Sequence, residues 1–289
     1  MSQTLENLQR RIATVDDLGA VVRTMKALSG ATIRQYETAA TTVGDYYRTV
    51  ELGLRAVLHG AAFLPRLPRR PANAASGIMI IGSDHGLCGR FNELIVRHAL
   101  VQLEQQSLSL CYFVAVGAQI HSRLDEAHCS VTLSLATPSS VAMITRTVEK
   151  LLLEIDNWRS QGKVFEVLLA HHSPTGKSLY QPQCISLLPV DFLRFRPLGE
   201  QPWPGRSLPY YSQDQQALLA ALIRQYFFVT LFRACAESLA CEHAARLAVM
   251  QRADKNIAEH LANLNNQYRQ QRQTAITEEL LDIVAGAVS

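Results

Sequence analysis

The stretch LIRQYFFVTLFRACAESLACEHAARLAVMQRADKNIAEHLANLNNQY, residues 222–268, contains neither proline nor glycine. Its apolar residues recur at Leu222, Tyr226, Val229, Ala236, Ala240, Leu247, Met250, Ile257, Leu261, Leu264 and Tyr268. Steps of three, four and seven trace one narrow stripe along a helix, the 3.5-residue repeat that winds a helix against a partner. Proline would remove a helix hydrogen bond and clash with the preceding turn. The proline-free run covers residues 210–289, with Gly286 as its single glycine. A matching run opens the chain: Leu5, Leu8, Ile12 and Val15, then Ile33, Tyr36, Ala40, Val43, Tyr47, Val50, Leu54 and Val57. All 11 prolines fall between Pro65 and Pro209. Two long helices therefore bracket a proline-containing middle, and at about 1.5 Å per residue a helix of roughly 58 residues would be near 85 Å long, more than a compact domain can cover.

The stripe is not clean. Gly19, Lys26 and Ser29 interrupt it in the first helix; Arg233, His243, Asp254 and Gln271 interrupt it in the second. Polar seam positions reduce stability and set register, and they suit a coiled coil whose outer faces meet several surfaces. An ordinary helical bundle with snorkelling side chains is the alternative.

The middle reads as strands at residues 77–83, 110–116, 131–135, 164–170 and 183–189, short apolar runs rich in β-branched or aromatic residues. Helical stretches at 90–106, 118–126 and 139–160 separate the earlier ones, the last with Ser139 or Ser140 as N-cap. Such alternation implies α/β architecture: a Rossmann-like, mainly parallel sheet domain inserted between terminal helices. The expected boundaries are 1–64 for the first coiled-coil helix, 65–209 for the α/β domain and 210–289 for the second helix.

Composition narrows the function. With 48% hydrophobic and 18% charged residues and a formal charge of +3, the chain is neither disordered nor built around a basic nucleic-acid stripe. No uninterrupted apolar run approaches the length of a membrane span, and the N-terminal residues resemble no secretory signal, so a cytosolic setting is expected. Cysteines at 88, 111, 129, 184, 235 and 241 form no CxxC pair and read as reduced, mostly buried thiols. No Cys/His spacing suggests a metal, and no cofactor is expected.

Three motifs invite chemistry. Residues 82–89, Gly82-Ser83-Asp84-His85-Gly86-Leu87-Cys88-Gly89, join a strand to a helix where doubly wound folds hold phosphates, but the glycines are not spaced as GxGxxG. Thr175-Gly176-Lys177-Ser178 imitates the end of a P-loop, yet the required earlier glycine is His171. Asp84-His85 with Cys88, and the pair His171-His172, could serve nucleophilic or acid/base chemistry; a packed thiol and a polar strand end explain them equally well.

The stretch Ser238-Leu239-Ala240-Cys241-Glu242-His243-Ala244-Ala245-Arg246-Leu247-Ala248-Val249-Met250 resembles the signature of the gamma subunit of F-type ATP synthases, S-x-x-S-E-x-x-A-R-M-x-A-M, with Ser238, Glu242, Ala245, Arg246 and Met250 matching. Tyr268, Arg272-Gln273, Ile276-Thr277, Glu279-Leu280, Ile283-Val284 and Gly286-Ala287 resemble that family's ending. Ile12 to Val15, Met25 and Arg34 resemble its first helix, and Asp84, Gly86 to Gly89 and Asn92 its D-R-G-L-C-G-x-x-N loop. Residues 27–32 and 170–173 depart from the family pattern and suggest a divergent alternate branch.

The resemblance implies a non-catalytic central rotor, its terminal helices an antiparallel coiled coil inside a hexamer of three alpha and three beta subunits. It couples ion flow through a membrane ring to ATP synthesis or hydrolysis. The implied partners are those subunits, the epsilon subunit and the c-ring, on the cytoplasmic face of the bacterial inner membrane, without nucleic acid or direct nucleotide binding. It further implies that Arg272, Gln273, Met25, Arg246, Glu242, Met250, Ile276 and Thr277 meet the beta-subunit catch loop and hexamer bore, and that Ile283 and Val284 sit in an apolar bearing. The competing reading is a small-molecule or nucleotide-binding α/β domain that dimerises through its helical termini.

Overall fold

A computed structural model describes residues 2–59, 70–71, 74–105, 111–175, 179–195 and 210–288. Helix α1 spans Ser2–His59 and the last helix, α5, Gln215–Val288. Between them run β1 (Ala75–Ile81), α2 (Phe91–Gln105), β2 (Cys111–Val116), α3 (Ala118–Glu126), β3 (Val131–Leu135), α4 (Val141–Ser160), β4 (Val164–Ser173) and β5 (Gln181–Leu188), followed by a 3-10 turn at Phe192–Phe195. The five strands make one sheet in the order β3-β2-β1-β4-β5; the first four are parallel and β5 runs antiparallel to β4 at the edge. This is the α/β domain framed by two long helices that strand and helix alternation implied. Ser140 does take the N-cap position of α4 in an extended conformation, but its hydroxyl makes no capping bond.

The chain divides into two compact units, one of residues 1–31 with 246–289, the other of residues 32–245. In the larger unit the central strands are buried on both faces, as a parallel sheet covered by helices requires. Alternation along β1 sorts the two cores: Met79 and Ile81 join Val114, Val116 and Leu169 against α4, α1 and α5, while Ile78 and Ile80 join Phe113, Ala115, Leu168 and Ala170 against α2 and α3. Gly77 is required on the first face, because an added Cβ would stand 2.2 Å from Cζ3 of Trp158.

Here α5 is buried nearly all round: Val229, Leu231, Cys235 and Ala236 are fully enclosed. That enclosure accounts for the composition of the helix. Within Gln215–Leu281 an 18-residue window is apolar and charge-poor enough to cross a membrane by length and composition. The apolar side chains of this helix instead fill the core beside the sheet. In the same unit α1 and α5 run antiparallel, with Gln215 Nε2 donating to the Val57 carbonyl (3.0 Å), Tyr47 against Tyr226 and Tyr36 stacked on His243.

In the smaller unit the helical segments pair in the same sense. Gln9 Nε2 donates to the Tyr268 hydroxyl at 2.7 Å, and Gly19 lies so close to Ile257 that a Cβ would approach its Cγ2 at 3.2 Å. Two of the polar interruptions meet each other: Lys26 Nζ lies 2.8 Å from Asp254 Oδ2. A third, Ser29, is buried.

Candidate partner surfaces and the interior polar sites

The residues expected to meet partners fall into two groups. Glu242, Arg246 and Met250 are only 5%, 7% and 2% exposed, and so are taken up by the chain's own fold. The resemblance gave these residues partner contacts; within this chain they lie on faces of α5 that are covered, Ser238 among them with its hydroxyl donating to the Ile81 carbonyl at 3.4 Å. Met25 is half-buried. Arg272, Gln273, Ile276 and Thr277 are exposed on α5, as are Ile283 and Val284. Thr277 turns its hydroxyl back onto the Gln273 carbonyl at 2.9 Å. With Leu280 and Leu281 they give this end of the helix five large apolar side chains in water, from 47% exposed at Ile276 to 68% at Ile283. The sequence resemblance did not single out Leu280 and Leu281 as contact residues; their absence from the 3.5-residue stripe was the signal. On α1, Leu18, Val21 and Leu28 are similarly exposed.

The glycine loop is built to close on itself. Asp84 Oδ1 accepts from the Ala118 N–H (3.0 Å) at the start of α3, and its Oδ2 accepts from the Thr137 N–H (2.9 Å) and hydroxyl (2.8 Å). Asn92 Oδ1 accepts from the Ser83 N–H at 3.0 Å while its Nδ2 donates to the Ser83 hydroxyl at 2.7 Å. The Ser83 N–H is thus taken by a side chain of α2, and the carboxylate of Asp84, fixed at the mouth of the loop, would repel an anion. Gly117 completes the junction: at φ +112° it brings the backbone so near Ser83 that a Cβ would lie 2.6 Å from the Ser83 carbonyl oxygen. Cys88 is buried with Phe91, Cys241 and Ala245, a packed thiol.

The histidine pair is interior. His171 Nε2 lies 3.3 Å from Glu237 Oε2, and Arg233 Nε donates to Glu237 Oε1 at 2.7 Å. Burial pushes the Glu237 carboxyl up, but the hydrogen bonds from His171 and Arg233 outweigh it and hold the group below its ordinary range. A cavity of about 530 Å³ opens beside these residues, lined also by Tyr47, Gln183 and Thr230. His172 Nε2 donates to the Phe91 carbonyl at 2.9 Å, and its ring packs on Phe91 and Tyr180. Burial lowers its pKa to about 4, so it is neutral at physiological pH. No nucleophile is hydrogen-bonded to either imidazole among the described pairs; His171 pairs with Glu237 and His172 packs among aromatic rings. Among the described residues no group of three or more His, Cys, Asp or Glu side chains could hold a metal ion. Of the P-loop-like motif, Gly176 to Ser178 lie outside the described residues.

Known proteins agree with a helical-stalk reading. The family model described as ATP synthase matches residues 4–289. The ATP synthase gamma chain of Anaeromyxobacter sp. (strain Fw109-5) is 28% identical over 303 residues, covering 98% of each chain, and that of Pelotomaculum thermopropionicum is 26% identical over 290 residues, covering 99% of each. Among solved structures, the rotor of the Euglena gracilis mitochondrial ATP synthase superposes with a TM-score of 0.64 at 15% identity, over 96% of this chain and 100% of that one. A match that spans both terminal helices and the sheet between them leaves no part of the fold unaccounted for, and the chain belongs to the ATP synthase gamma-chain family.

Proposed function

We propose that this chain is the non-catalytic central rotor of an F-type ATP synthase, transmitting torque between an ion-driven c-ring and the three catalytic sites of an alpha/beta hexamer. The observation that carries the reading is the match over residues 4–289 to a family whose curated relatives are gamma chains. The physical features support it. A rotor needs a helix pair strong enough to stay paired yet free on its outer faces, and α5 beyond residue 250 half-buries scattered positions, with Leu264 fully covered, and leaves the rest exposed. In this reading Arg272 and Gln273 engage the beta-subunit catch loop, Ile276 and Thr277 the hexamer bore, and Ile283 and Val284 an apolar bearing. In the same reading the buried Glu242, Arg246 and Met250 hold the helix itself, with Met25 half-covered beside the seam.

As the rotor turns, its asymmetric surface changes the relative free energies of open and closed beta conformations, shifting populations among three sites in turn. The α/β domain, expected within residues 65–209, is the foot that meets the epsilon subunit and c-ring. The complex sits on the cytoplasmic face of a bacterial inner membrane, and the departures at residues 27–32 and 170–173 fit a divergent branch of the family. The test is to recover the chain from its native membranes through an affinity tag, identify the bound subunits and assay ATP hydrolysis. Alpha, beta and this chain in a 3:3:1 ratio with active hydrolysis supports the reading; recovery alone or as a homodimer overturns it.

A further inference from the structure

Cys111 opens β2, and Cys129 lies two residues before β3. The two strands are parallel, with Phe113 aligned to Val131. Cys111 precedes Phe113 by two residues within β2, and Cys129 precedes Val131 by two in the coil that leads into β3, so continuing the pairing outward from Phe113 and Val131 puts the two cysteines side by side. The packing agrees independently: Cys111, Phe113, Cys129 and Val131 all lie on the same side of the sheet, against the core of Ile78, Ile80 and Leu103. Neighbouring strands stand about 4.7–4.9 Å apart, within the roughly 4.4–6.8 Å between Cα atoms that a disulfide spans.

We propose that Cys111 and Cys129 form a reversible dithiol–disulfide pair, closed by exchange with a small-molecule disulfide. The thiolate of one cysteine attacks the small disulfide, forming a mixed disulfide and releasing one small thiol. The second cysteine then attacks the protein-bound sulfur, expelling the second small thiol. Two protein thiols are oxidised, one small disulfide is reduced to two thiols, and the two protons pass to the leaving thiolates. The closed bond would staple the start of β2 to the approach of β3, across α3.

The remaining thiols make the pair selective. Cys88, Cys235 and Cys241 are buried, and Cys184, in β5, faces Ala170 rather than a cysteine. Cys111 and Cys129 are both half-exposed, and Cys129 Sγ is steadied by donating to the Ala127 carbonyl at 3.6 Å. Burial raises both thiols above their ordinary range; at Cys111 the neighbouring Cys129 adds to this, with Glu166 raising and Arg70 lowering it. Closure is therefore slow at neutral pH and accelerates as pH rises.

The test equilibrates the full chain in glutathione buffers of increasing oxidised fraction, blocks free thiols with an alkylating agent and maps the peptides by mass. The expected product is a monomer lighter by two hydrogens with the Cys111 and Cys129 peptides joined, restored by dithiothreitol. Cys111→Ser should instead leave glutathione on Cys129. The proposal is overturned if both wild-type thiols stay alkylatable in the most oxidised buffer, if each carries its own glutathione, or if either bonds a different cysteine. The wild-type measurement decides the matter even where a variant fails to fold.

Discussion

Acidification should loosen the α/β domain through one side chain, His172. Its ring is fully buried against Phe91 and Tyr180, and burial lowers its pKa from 6.5 to about 4. A base whose pKa is lowered by folding binds more protons when unfolded, so its contribution is complete above pH 6.5 and is lost as pH falls toward 4. At 1.36 kcal/mol per unit, linkage gives a loss of about 2 kcal/mol between pH 7.5 and 5, growing to about 3 kcal/mol at pH 4. With a urea dependence of about 2 kcal/mol per molar, the pH 5 figure moves the unfolding midpoint down by about 1 M. The assay is urea unfolding of the full chain at pH 7.5, 6 and 5, for the wild type and for His172→Gln, whose amide can still donate to the Phe91 carbonyl but does not titrate. The substitution is expected to lower stability at pH 7.5 and to flatten the pH dependence by about 2 kcal/mol. Glu237 acts in a different window: its carboxyl lies below the ordinary range, so its contribution is present above the unfolded pKa and is lost only as pH falls through the lower folded value. Parallel losses in wild type and variant between pH 7.5 and 5 would refute the reasoning about His172.

Gly117→Ala should destabilise the chain by roughly 3 kcal/mol or more, because the new Cβ would meet backbone at Ser83 and the residue holds a positive φ; a melting temperature within two degrees of wild type, measured by circular dichroism, would contradict this. Asp254→Asn should cost under about 1 kcal/mol, since Lys26 and Asp254 are 39% and 27% exposed, and the difference should shrink in 1 M salt. A salt-independent loss of several kcal/mol would mean the residue packs rather than pairs. Arg272→Ala and Gln273→Ala, both at exposed positions, should lower ATP-driven ion pumping by the recovered complex while leaving thermal unfolding of the chain unchanged. Wild-type pumping in both would count against their assignment to the catch loop.

Where a single physical pattern decides structure, the sequence was readable. Proline placement and the 3.5-residue stripe located α1 and α5, and β-branched runs located all five strands, because both signals are local. The antiparallel course of β5 was not readable, since a strand carries no mark of its direction. Nor were the pairs that close the interior: Asp84 with Thr137, His171 with Glu237 and Tyr36 with the Pro138 carbonyl join residues far apart in the chain. The family signature carries two kinds of constraint at once. A motif such as Ser238, Glu242 and Arg246 says that these side chains are constrained, and a covered face constrains a residue as strongly as a partner does.

The polar breaks in the stripe point to a division of labour within each helix. In a permanent zipper Lys26 and Asp254 would be replaced by apolar residues at little cost, because a half-exposed ion pair adds less than a buried leucine contact. Their meeting at 2.8 Å instead favours one register of α1 on α5, since sliding either helix by a heptad would part the two charges and set Lys26 opposite Leu247 or Leu261. Register of this kind matters most where burial is least: beyond residue 250 only about one residue in three or four of α5 is covered, so hydrophobic area alone would distinguish poorly between neighbouring registers. In residues 226–245, by contrast, nearly every face of α5 is enclosed, and the sheet already determines where each side chain must sit. The same helix thus has its register set by shape in one unit and helped by charge in the other, and only the second arrangement leaves its outer faces free for other surfaces.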